Sequence, residues 1–100
     1  MSEIYVMQRA NGDVFALDHS RGFCVPLFHS NSDAMTARSR NGGMLLFKPI
    51  ALNDRLLQEI VPKEGRSDVA LLLVKDPLRS LKHGLPLERA ELLVLLGNPA

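Results

Sequence analysis

Tryptophan is absent, tyrosine and cysteine occur once each, and no apolar run approaches the ~20 residues that a membrane-crossing helix needs. With Cys24 alone there is no intrachain disulfide, which suits a reducing, cytoplasmic setting. Met1-Ser2-Glu3-Ile4-Tyr5 lacks the basic start and apolar stretch of a secretory signal, and with no apolar run of membrane length no membrane partner is expected. Charge of one sign is lacking too. Lys plus Arg total 12 against 11 for Asp plus Glu, a formal net charge of +1 that favours neither a nucleic-acid binder nor a trap for acidic ligands.

Chemical signatures are equally sparse. His19, His29 and His83 stand at no metal-ligand spacing and Cys24 has no second thiol, so no metal or cofactor is expected. No Gly-x-Ser-x-Gly elbow surrounds Ser30, Ser32 or Ser39, and Gly42-Gly43 forms no phosphate loop. The carboxylates are scattered singly, without the pairing that acid–base catalysis exploits. Arg38 and Arg40, with Arg21 and Lys48, form a candidate basic patch, but cations at a helix end also complement the dipole. Nucleic-acid binding would need exposed aromatics for stacking, and the phenylalanines read as core residues.

What is present is a globular composition, 46% hydrophobic and 23% charged, in 100 residues that read as one domain spanning 1–100. The run Val69-Ala70-Leu71-Leu72-Leu73-Val74 has neither strand alternation nor helical period, which predicts a central strand covered on both faces. Around it the chain reads as follows. Ile4 to Arg9 alternates, with Ile4 and Val6 on one face and Tyr5 and Met7 on the other. Asn11-Gly12 suits a hairpin turn, Val14–Leu17 returns, and Phe23–Phe28 makes a third antiparallel strand, with Pro26 placing it at an edge or bulge. Ser30-Asn31-Ser32-Asp33 caps a helix running to Arg40, with Ala34, Met35 and Ala37 inward and Gly42-Gly43 as the stop. Met44–Phe47 reads as a strand ended by Pro49. A helix capped by Asn53 follows, with Leu52 and Leu57 as a hydrophobic staple and Pro62 as its end. Asp76-Pro77 predicts a short helix carrying Leu78 and Leu81 and ended by Gly84, and residues 86–96 predict a last helix. The fold class is α+β: an antiparallel N-terminal meander extended to a roughly five-stranded mixed sheet, with three to four helices packed on it.

Val25-Pro26-Leu27-Phe28-His29-Ser30, followed by Asp33-Ala34 and a short helix, resembles the N-terminal part of SseB-like bacterial domains. The resemblance covers about fifteen residues and implies a small α+β module with an adaptor role; it carries over no site residues.

The apolar excess of the C-terminal segment is the strongest functional signal. Leu85, Leu87, Ala90, Leu92, Leu93, Val94, Leu95 and Leu96 outnumber what one small core can take, which predicts a partner surface. A two-fold homodimer is the expected partner, with Leu92, Val94 and Leu95 at the contact and Glu88 and Arg89 on its rim; another protein partner fits the same surface. The alternative is a ligand-binding protein or enzyme whose polar site gathers His19, Arg21, His29, Ser30, Arg79 and His83 from segments 18–22, 29–33 and 75–83.

Overall fold

The computed structural model describes residues 3–19, 22–60, 69–78 and 80–96. The architecture is α+β. Six strands form a two-stranded antiparallel sheet, β1 (Tyr5–Arg9) with β4 (Phe47–Ala51), and a four-stranded mixed sheet. The latter has the order β2 (Leu17–His19), β3 (Gly22–Leu27), β5 (Val69–Asp76), β6 (Ser80–Leu87). Helices α1 (Asn31–Arg40), α2 (Asp54–Ile60) and α3 (Arg89–Leu95) complete it.

The expected meander is corrected by the pairing of β1. Its amide and carbonyl groups go to β4, from Tyr5↔Ala51 to Arg9↔Phe47, and no regular ladder joins β1 to β2. The hairpin turn exists nonetheless. Gly12 takes a left-handed φ of 95°, its N–H donates to the Arg9 carbonyl at 2.9 Å, and Gln8 bridges Val14. Beyond Val14 and Phe15 the chain leaves β1, so 14–17 is only partly a strand. Tyr5 and Phe28 exchange both backbone hydrogen bonds at 2.9 Å, and this pair joins the two sheets.

The alternation read along β1 does hold. Ile4 and Val6 enter a core with Val25, Leu27, Leu71, Leu73 and Leu87 from the larger sheet and Leu52, Leu56, Leu57 and Leu92 from the α2 and α3 regions. Met7 enters a second core with Phe28, Ala34, Ala37, Met44, Val74 and Leu81. β5 lies inside its sheet as expected, parallel to β3 and antiparallel to β6. Its coverage is two-sided only towards its C-terminal end: Leu71, Leu73 and Val74 are buried while Ala70 is exposed.

Local capping chemistry sets the helices. Ser30 Oγ accepts from Asp33 N–H at 3.0 Å to start α1, and Asn53 Oδ1 accepts from Leu56 N–H at 2.8 Å to start α2. Met35 points outward rather than inward, and α1 ends at Asn41, whose side chain donates to the Ala37 carbonyl at 2.7 Å. Met44 closes a 3-10 turn (Gly42–Met44) instead of starting a strand, and Pro49 lies within β4, an edge strand where its missing N–H is tolerated. The helix predicted after Asp76-Pro77 is absent. Asp76 Oδ1 accepts from Leu78 N–H at 3.1 Å, an Asx turn that reverses the chain into β6. The final helix is present but begins at Arg89, with Glu91 Oε1 accepting from Glu88 N–H at 3.0 Å. The predicted end at Pro62 lies outside the described residues.

Gly84 is therefore no helix stop. It faces Val74 beside a register irregularity between Val74 and Asp76, and a Cβ built there would approach the Leu73 carbonyl oxygen to an untenable 2.1 Å. Backbone cannot yield as a side-chain tip can. Gly84→Ala is expected to destabilise by about 1–3 kcal/mol, read as a lower urea midpoint at unchanged m-value. Asn53→Ala should cost about 1 kcal/mol through loss of the α2 cap, measured in the same way.

Candidate functional site

The polar site expected from three segments does not assemble as one. His19 pairs with Gly22 at the start of β3, whereas His29 and Ser30 follow its end, and six strand residues span about 20 Å. Because β5 runs parallel to β3, the β5–β6 turn lies at the His29 end, so segments 29–33 and 75–83 share one end of the sheet and 18–22 lies at the other. His29 and His83 are exposed, and the Ser30 hydroxyl accepts the α1 cap bond. Arg21, Arg79 and the side chain of His19 lie outside the described residues. Among the described residues no cluster of His, Cys, Asp or Glu could hold a metal ion.

The C-terminal surface is smaller than the sequence suggests. Leu92 is fully buried in the core under α2 and α3, and is unavailable to a second copy. Leu87 is buried too, and Leu93 and Leu96 pack partly against the same core. What remains is Leu85, 58% exposed on β6, and Val94, 67% exposed on α3, with Leu95 partly covered. Glu88 precedes α3 at the surface, and Arg89 donates to Gln58 Oε1 at 3.1 Å, tying α3 to α2.

A surface that sequence reasoning missed lies at the other end of β1. The sequence reads the phenylalanines as core residues; Phe28 is buried, Phe15 and Phe47 are half-buried against the second core, and Phe23 is exposed. Phe15, Phe23 and Phe47 line an open cleft of about 420 Å3 together with Arg9, Asp13 and Gly43. Phe15 meets Phe47 edge-on, ring centroids 5.3 Å apart at 85°, and the Arg9 guanidinium lies 5.7 Å from the Phe47 centroid. Asp13 holds Arg9 there at 2.8 Å. The Arg9 and Asn11 hydrogen bonds keep the Asp13 carboxyl below its usual range. On the far side of the 13–16 segment, Phe23 and Val14 also border a second cleft of about 280 Å3, floored by Val25, Leu56, Ile60 and Val69. The arrangement offers aromatic surface and one compensated ion pair, suited to apolar contact. The local clue was position: Phe15 follows the Asn11-Gly12 turn, Phe23 opens a strand, and Phe47 precedes Lys48-Pro49, all at element ends where coverage is thin.

The basic patch is also reshaped. Arg38 donates through Nη2 to the Leu45 carbonyl at 2.7 Å and so braces the turn after Met44, while Arg40 and Lys48 are exposed. No described helix is long and apolar enough to cross a membrane. No protein-family model, no curated protein and no solved structure matches the chain.

Cys24 is buried on β3, and burial pushes its thiol above the ordinary cysteine range. Its thiolate is the reactive form, so a disulfide reagent such as DTNB should label the native protein slowly at neutral pH and rapidly once denaturant unfolds it. Equal rates in the two states would contradict a packed, inert thiol.

Proposed function

We propose that this protein is a cytoplasmic interaction module, not an enzyme, that self-associates as a two-fold dimer through its C-terminal surface. The observation that carries this reading is the exposure of Leu85 and Val94 at 58% and 67% on the last strand and last helix, beside the partly covered Leu95. Covering a Leu or Val side chain is worth roughly 1.5–3 kcal/mol against leaving it in water, and a self-complementary contact is the commonest way to recover it. Glu88 lies at the rim of that contact. An adaptor role also agrees with what the SseB-like resemblance of residues 25–34 implies.

A second reading is supported by the aromatic cleft: a ligand or partner segment presenting apolar groups to Phe15, Phe23 and Phe47. It replaces the polar segments as the place where a ligand-binding alternative would act, and its mark would be a thermal shift of several degrees that Phe47→Ala abolishes.

Sedimentation velocity at micromolar concentration tests the dimer. The expected result is a species of twice the 11.1 kDa chain mass, converted by Val94→Glu to a monomer with unchanged far-UV circular dichroism. A wild-type protein sedimenting as the single chain would overturn the dimer.

A further inference from the structure

Two neighbouring leucines stand well out in solvent: Leu46, the most exposed large apolar side chain of the described structure at 78%, and Leu45 at 61%. They are not a frayed end. Met44, the residue before them, is fully buried against α1, and the turn is closed by Met44 N–H to the Asn41 carbonyl at 2.9 Å and by the Arg38 guanidinium on the Leu45 carbonyl at 2.7 Å. With Met44 anchored inward and Phe47 half-buried on re-entry, Leu45 and Leu46 are held out at the tip.

The charge along this part of the chain is of one sign. From Ala34 to Asn53 the sequence holds Arg38, Arg40 and Lys48 and no carboxylate. Among the described residues neither Arg40 nor Lys48 forms an ion pair, and both are exposed. The carboxylate across the neighbouring cleft, Asp13, is compensated by Arg9 at 2.8 Å. The net charge of +1 hides this local excess.

We propose that the Leu45–Leu46 turn, with the exposed Arg40 and Lys48, is a contact site for an anionic phospholipid surface. Arg40 and Lys48, both exposed and within five residues of the leucine pair in sequence, supply positive charge that headgroup phosphates and serine carboxylates attract. Such contact is peripheral and needs no membrane-crossing helix, and no described helix is long and apolar enough to be one.

Co-sedimentation of the full chain with phosphatidylcholine vesicles, with and without a minority of phosphatidylserine, tests this. Binding should appear with phosphatidylserine, weaken as salt is raised, and fall about fivefold for Arg40→Gln or Lys48→Gln. The double variant L45S/L46S should lose at least tenfold, with far-UV circular dichroism unchanged because both side chains lie outside the core. No binding to the anionic vesicles, or binding indifferent to the two leucines, overturns the proposal. So does a drop in sedimentation coefficient of L45S/L46S without vesicles, which would assign the turn to contact between copies.

Discussion

The parallel pairing of β3 with β5 is the constraint on which the remaining structure depends. Phe23 to Leu27 run alongside Val69 to Leu73 in the same direction, so the chain must leave the end of β3 and return to its beginning before β5 can form. A parallel pair cannot be closed by a tight turn. Among the described residues of the intervening chain, α1, the 3-10 turn, β4 and α2 all belong to this crossover. Their side chains divide between two cores, Ala34, Ala37 and Met44 in one and Leu56 and Leu57 in the other. β4 then meets β1, and because successive strand side chains point to opposite faces, β1 supplies Ile4 and Val6 to one core and Met7 to the other.

How much of this was legible follows from the range over which each interaction acts. The β1 alternation, the Gly12 turn, the Ser30 and Asn53 caps and the β5 run are settled by neighbouring residues, and all are found in the structure. The partner of β1 is not a local property. Asn11-Gly12 favours a hairpin, but the Tyr5–Phe28 pair and the β4 ladder take most of the hydrogen-bonding groups of β1. Asp76-Pro77 failed for another reason. An Asp side chain accepting from the residue two positions on serves a turn as well as a helix start, and Pro suits the next position in both. Leu81, read on a helix, is buried as a strand residue instead.

The functional surfaces were legible only as composition. An excess of leucine near the C-terminus is visible in the sequence, but which leucines the core absorbs depends on the rotation of α3 against the sheet. That rotation buries Leu92 and leaves Val94 outside. The polar segments failed through direction: a strand carries its two ends apart, so 18–22 and 29–33, close in sequence, flank β3 at opposite ends. The phenylalanines are core residues only in part: Phe28 is buried, Phe15 and Phe47 pack half-buried against the second core, and Phe23 is exposed. Aromatic residues on apolar strands usually fill cores, whereas Phe15, Phe23 and Phe47 stand at strand margins where two small cores run out of covering chain.

Several exposed apolar residues share one geometrical origin. Each of these stands close to a buried anchor that faces the other way: Phe23 before Cys24, Leu45 after Met44, and Val94 two positions after Leu92 on α3. On a strand or turn, fixing one side chain inward sends its neighbour outward, and on a helix a step of two residues carries a side chain about half-way round. Their exposure is thus imposed by anchoring, and hiding them would mean withdrawing a core residue. The sequence could meet that geometry with polar side chains at no cost to either core. At these positions it instead holds Phe, Leu and Val, which forgo the contact that a partner surface would provide. Folding and contact chemistry are consequently separable in this chain. Changes at Met44, Leu87 or Leu92 act on the cores, whereas polar replacements at Leu45, Leu46, Leu85 or Val94 leave core packing untouched and act on whatever the protein meets.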